Sequence, residues 1–185
     1  MEVNTRIQVE NGVSGAIARL PGRSGQSGQF DGQFDGQFDL SGGEQGVNII
    51  AEQLRLGLGE PLGYTQADVS FSGVGIEYRV IAEDPANRFT PGMGRIERFS
   101  WRAEPWLTVS TQVPTAATGE PYDIPMDFDP NLALAIVWGA DLQEAKTRGE
   151  AFLDSLVLEG TDTAGAPLCN NVAFLRARTQ TLLHF

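Results

Sequence analysis

Glu2, Asn4, Arg6, Gln8 and Glu10 recur at every second position of the first ten residues, with Met1, Val3, Thr5, Ile7 and Val9 between them. A two-residue period is that of a strand and places the five polar side chains on one face. Glu2 and Asn4 are hard oxygen donors two residues apart, a pattern that suits a magnesium-nucleotide site. Arg6 can grip a planar oxyanion with two parallel N–H donors. Glu10, on the same face, could take a proton from whatever Arg6 holds. The same alternation also fits a solvated face of an edge strand laced with cross-strand ion pairs.

A second alternating run, Gly75 to Glu83, sets Ile76, Tyr78 and Val80 on one face and Glu77, Arg79 and Ile81 on the other. Arg79 therefore shares a face with Glu77. Ala82-Glu83-Asp84-Pro85 ends that strand, Pro91-Gly92-Met93-Gly94 turns the chain, and two more strands are expected near 95–101 and 106–113. Leu132 to Trp138 is apolar throughout and reads as a strand buried on both sides. Asp141, with Glu144 three residues on, opens a helix that turns Leu142, Ala145, Phe152, Leu153 and Leu156 inward. A short strand at 156–159 and a last helix at about 171–183 follow. Before all of these, Val47, Ile50, Ala51, Leu54 and Leu58 form the stripe of an amphipathic helix that stops at the glycines 57 and 59. The expected fold class is α+β, an antiparallel sheet with packed helices.

Between these elements, residues 22–46 are rich in Gly, Ser, Gln and Asp, and Gly-Gln-Phe-Asp repeats three times at 28–39. A four-residue repeat matches neither the helical nor the strand period, and its glycines raise the entropy cost of ordering it, so a disordered insertion loop is expected. Its aspartates lack EF-hand spacing.

The whole chain of 185 residues fits one domain, or one domain plus part of another. A net charge of −11 argues against broad attraction to nucleic acid or an anionic membrane surface. The longest wholly apolar run, at 132–138, is far short of the roughly twenty residues of a spanning helix. Nothing at the N-terminus resembles a secretion signal, so a cytoplasmic location is expected. Cys169 and His184 are each the single residue of their type, which removes disulfide, zinc and His-based triad chemistry. One lysine, Lys146, stands against twelve arginines and lies outside any phosphate-loop pattern.

The run Met1-Glu2-Val3-Asn4-Thr5-Arg6-Ile7-Gln8-Val9-Glu10 resembles the M-E-[MV]-N-T-R-[IL]-Q-V-E signature of biotin carboxylases, the ATP-grasp component of biotin-dependent carboxylases. Further resemblance follows in the family's order: Glu52 to Arg55 with Gly59 to Leu62, Gly75 to Pro85, Gly94-Arg95-Ile96, and Asp129-Pro130 through Val137-Trp138-Gly139. The resemblance implies that this is a C-terminal portion of such a ligase: a terminal strand of the ATP-grasp domain at 1–21, the insertion at 22–46, a helix and linker at 47–70, and a biotin carboxylase C-terminal domain at 71–185. By the same resemblance Glu2 and Asn4 are ligands of Mg2+ (or Mn2+) and ATP phosphates. Arg6, Gln8 and the backbone of Val9 hold bicarbonate, and Glu10 is the base. Bicarbonate then attacks the ATP γ-phosphate, and the carboxyphosphate formed breaks down to carbon dioxide and phosphate. Arg79 stabilises the biotin enolate, a task suited to a permanently charged guanidinium, and Asp129 orients Arg79.

The implied partners are a biotin carboxyl carrier domain, since no Met-Lys-Met-type hairpin is present, a carboxyltransferase, and the missing ATP-grasp half in cis or trans; members commonly form homodimers. Three departures stand out. Asn11-Gly12-Val13-Ser14-Gly15 replaces the usual His-Pro-Val-Thr-Glu, Leu134 stands where many members carry Lys, and the family's glycine-rich lid and phosphate-binding lysines are absent. Because phosphoryl transfer depends on positioning and charge neutralisation around the phosphates, this chain is expected to be inactive alone. The competing expectations are a non-catalytic interaction module that docks on a carboxylase, and another ATP-grasp ligase of the carbamoyl-phosphate synthetase kind; Ile81-Ala82-Glu83-Asp84-Pro85 with Arg79 favours biotin.

Overall fold

The computed structural model describes residues 6–20, 46–125, 127 and 130–182. In chain order the elements are α1 (Asn11–Ile17), β1 (Ala18–Arg19), α2 (Ile49–Gly57), β2 (Ser70–Phe71), β3 (Val74–Ile81), β4 (Glu83–Asp84), β5 (Thr90–Pro91), β6 (Gly94–Ser100), β7 (Leu107–Thr111), α3 (Thr115–Thr118), β8 (Tyr122–Asp123), β9 (Asn131–Gly139), α4 (Leu142–Ser155), β10 (Val157–Asp162) and α5 (Val172–Gln180). Two three-stranded antiparallel sheets, ordered β3-β9-β7 and β10-β6-β8, carry the architecture, with short ribbons β1-β2 and β4-β5 beside them. The α+β expectation is met.

β9 is the central strand of its sheet, and the register pairs Arg79 with Leu134 and Glu77 with Ile136. Residues opposite each other in an antiparallel pair point to the same side. One face therefore carries Ile76, Tyr78, Val80, Ala133, Ala135 and Val137, and α4 covers it with Phe152 and Leu153 to form the core. The other face carries Gly75, Glu77, Arg79, Leu134 and Ile136. On it lies α1, with Gly12 against Ile136, and Val13 and Ile17 over Gly75. The apolar run Leu132 to Trp138 within β9 thus reflects an antiparallel strand flanked by strands on both edges and covered by helices on both faces.

α4 starts as its sequence indicates. Asp141 Oδ1 accepts from Glu144 N at 2.8 Å, and Glu144 Oε2 accepts from Ala140 N at 2.6 Å. The seat between α4 and β3 has no spare volume. A Cβ on Gly149 would overlap Tyr78 Oη, which also accepts a hydrogen bond from Thr179 Oγ1 of α5 at 3.1 Å.

Two expectations change. The alternation of residues 1–10 predicts a strand, yet Arg6–Glu10 form a bend and a turn that lead into α1. Asn11 N and Asn11 Nδ2 both donate to Gln8 O, and Val13 N donates to Glu10 O, so local turn hydrogen bonds replace a ladder. The apolar stripe of α2 predicts an inward face, yet Ile50, Leu54 and Leu58 are exposed, and Glu52 is the buried residue, paired with Arg55 at 2.7 Å. The Gly-Gln-Phe-Asp repeat lies outside the described residues.

Gly149→Ala should gain about 1 kcal/mol of helix propensity in isolation, but overpacking against the tyrosine should cost about 1–3 kcal/mol. The expected net result is a lower Tm, with a smaller loss when the same change is made in a Tyr78→Phe background. Equal losses in both backgrounds would show that the hydroxyl contact is unimportant.

Candidate functional site

The face of β3 that carries Glu77 and Arg79 would be an ordinary half-covered sheet surface without α1. Gly75 changes this, because with no Cβ it lets Val13 come within contact distance; a Cβ there would lie 3.1 Å from Val13 Cγ1 and 3.4 Å from Val13 O. Gly12 plays the same part against Ile136. With α1 seated this closely, Glu10 at its start reaches Arg79, 69 residues later in the chain.

Three side chains then form one cluster. Arg79 Nε donates to Glu77 Oε1 at 2.7 Å, while Arg79 Nη2 donates to Glu10 Oε1. The two carboxylates differ in setting. Glu77 is 9% exposed and its Oε2 has no hydrogen-bond partner among the described residues, whereas Glu10 is 54% exposed and Arg79 43%. Glu77 is thus a largely enclosed anchor, and Glu10 is a partner that solvent or a ligand can replace. The guanidinium pKa is raised, first by the hydrogen bond to Glu77, so Arg79 is a permanent cation.

Glu10 is held below the ordinary carboxylate value of 4.5, chiefly by the hydrogen bond to its own backbone amide and then by Arg79, with Arg6 adding charge. Desolvation acts in the opposite sense. Its folded-state pKa being depressed, the pair with Arg79 is present above the ordinary carboxylate value and is lost as pH falls through the lowered one. When an anion takes the place of Glu10 on Arg79, the lowering contribution of Arg79 is withdrawn and Glu10 becomes the better proton acceptor.

Of the residues singled out in the sequence, the structure brings Glu10 and Arg79 into contact and places Arg6 within electrostatic reach of Glu10. Gln8 and Val9 are exposed in the turn before α1, and the Gln8 carbonyl is engaged by Asn11. Glu2, Asn4 and Asp129 lie outside the described residues. Glu77 is the participant that motif reading passed over, although its shared face with Arg79 was legible from the two-residue spacing. Among the described residues no group of three His, Cys, Asp or Glu side chains gathers as for a metal ion. No helix among them is long and apolar enough to cross a membrane.

The site is a guanidinium held by a largely enclosed carboxylate, with an exposed carboxylate at its outer edge, on an α+β domain. Residues 77–182 match the biotin carboxylase C-terminal domain, and the chain belongs to that family. It is 30% identical over its whole length to a pyruvate carboxylase subunit from Methanothermobacter thermautotrophicus, of which it covers 31%. It is 31% identical over 88% of its length to the chloroplastic biotin carboxylase of Arabidopsis thaliana, covering 24% of that protein. Among solved structures, the biotin carboxylase domain of the Hydrogenobacter thermophilus 2-oxoglutarate carboxylase, in complex with MgADP, ADP and bicarbonate, superposes with a TM-score of 0.71 at 28% identity; the match covers 96% of this chain and 30% of that one. The chain thus spans about a quarter to a third of the length of these relatives.

The Glu10 carboxyl, followed by carbon-detected NMR, should titrate below 4.5 in the native chain. Arg79→Gln should move the midpoint up, and Gly75→Val, by lifting α1, should do the same. An unmoved midpoint in both variants would show that Arg79 does not govern Glu10.

Proposed function

We propose that this chain supplies the C-terminal part of a biotin carboxylase, an ATP-dependent ligase that carboxylates carrier-borne biotin at the expense of ATP and bicarbonate. The observation that carries the reading is the meeting of Glu10 with Arg79 over the buried Glu77. The proposed roles follow from that geometry. Arg6 and the outer edge of Arg79 attract the bicarbonate anion. Glu10, displaced from Arg79, removes its proton. Arg79, kept in place by Glu77, then faces the negative charge that develops on the ureido oxygen of biotin.

Gln8 and the Val9 backbone border bicarbonate in this proposal, and Asp129 supports Arg79 beside Glu77. Glu2 and Asn4 would hold Mg2+ and the ATP phosphates.

The chain would work with a partner half. Relatives three to four times its length support this, as does the exposed row of Ile50 and Leu54 on α2 and Leu58 just beyond it, a face suited to burial against a body that bears the nucleotide. A biotin carrier domain and a carboxyltransferase complete the assembly, in cytoplasm. The same apolar row favours a second reading, a non-catalytic module that docks on a complete carboxylase.

The test joins this chain, in trans or as a fusion, to the nucleotide-binding half of a related biotin carboxylase and measures transfer of labelled bicarbonate to free biotin. Activity is expected from the pair and none from the chain alone. Glu10→Gln should lower it about 100-fold or more, and Arg79→Ala by about 100- to 1,000-fold, with the KM for ATP little changed by the latter. Full activity in both variants would leave only the docking module.

A further inference from the structure

Arg79 sits close to a weak point in its own strand. The β3-β9 register shifts between Val80 and Ile81, so the ladder that holds β3 is interrupted just beyond the guanidinium's own residue. β3 is also an edge strand, with β9 on one side only. A shift in the backbone here would rotate Arg79 away from Glu77 and Glu10.

Asn171 occupies that edge. It is 3% exposed and stands at the start of α5. Its Nδ2 donates to Arg79 O at 2.9 Å and to Glu83 Oε1 at 3.0 Å. Its Oδ1 accepts from Ile81 N at 3.0 Å, and its own backbone N donates to Ile81 O at 3.1 Å. The side-chain amide and main chain of one residue thus supply the bonds that a neighbouring strand would make, on both sides of the register shift.

An asparagine in this position ordinarily caps its own helix. Asn171 does not; Val172 N is instead satisfied by Asn170 Oδ1 at 3.1 Å. The two consecutive asparagines divide the work, Asn170 capping α5 and Asn171 serving β3. A buried amide with both ends engaged tolerates few replacements, since each lost partner leaves an unsatisfied polar group.

We infer that Asn171 is a positioning residue for Arg79, a splint from α5 that fixes the backbone from which the guanidinium projects; as a statement about catalysis this rests on the proposed carboxylase reading, and as a statement about structure it does not. The experiment separates the two. In the intact chain, the Arg79 Nε–H is followed by nitrogen-edited NMR together with the Ile81 amide and the Asn171 side-chain amide. All three are expected to be protected from exchange.

Asn171→Asp keeps the acceptor for Ile81 N but sets an oxygen against Arg79 O and Glu83. It should speed exchange at Arg79 Nε by about tenfold or more while the core methyl spectrum is retained. In the reconstituted enzyme the same variant should lower kcat for biotin carboxylation with the KM for ATP unchanged. Arg79 Nε exchange that is unaltered in a folded Asn171→Asp chain would overturn the inference. If that variant does not fold, the native chain decides alone: a freely exchanging Asn171 amide and Ile81 N–H beside a protected Arg79 Nε–H would overturn it as well. Altered Nε exchange in the variant, with no carboxylation by the enzyme reconstituted from the unsubstituted chain, would sustain the structural splint and reject the carboxylase reading.

Discussion

A carboxylate taken out of water needs a cation, and in this protein the requirement fixes the site. Glu77 is almost wholly enclosed and hydrogen-bonded through one oxygen to Arg79. An ion pair with one half-exposed partner gives little net stability, since solvent screens it and desolvation offsets part of the Coulomb attraction, but loss of the cation leaves the enclosed carboxylate unpaired. The pair therefore acts less as a source of stability than as a constraint on where Arg79 can be. Its free N–H donors are left facing Glu10 and solvent, the direction from which an anion can arrive.

The rest of the fold keeps that constraint in register. The two faces of β3 have opposite duties: Tyr78 and Val80 tie it into the core beneath α4, and Glu77 and Arg79 look the other way. Gly75 and Gly12 let α1 lie close enough to bring Glu10 onto Arg79. At the far end, Asn171 of the α5 start holds the strand edge where the β9 ladder shifts. Segments far apart in sequence thus converge on one arginine, Glu10 and Glu77 at its guanidinium and Asn171 at its backbone.

Much of this was readable from residue order. The period of two through Glu77, Arg79 and their apolar neighbours gave the faces of β3, and Asp141 with Glu144 gave the start of α4, because both signals are local and strong. The reading of Arg6–Glu10 as a strand failed for an equally local reason. Alternation reports side-chain polarity and not backbone pairing, and here Asn11 bonding to Gln8 O turns the chain into a short helix. α2 misled in another way, since its stripe predicts an inward face and Ile50 and Leu54 are exposed. Asn171 was invisible, as an asparagine before a helix ordinarily signals a cap and its real partners lie 88 to 92 residues away.

The dependence of the site on the Glu77–Arg79 pair is most directly tested by a double-mutant cycle on those two residues, read by denaturant unfolding. Glu77→Gln and Arg79→Met are made singly and together. A coupling of about 1 kcal/mol is expected, because Arg79 is 43% exposed and solvent screens the pair, with Arg79→Met alone the most damaging because it leaves the Glu77 carboxylate without its cation. Additive effects, within about 0.5 kcal/mol, would contradict the view that Glu77 is what holds Arg79 in place.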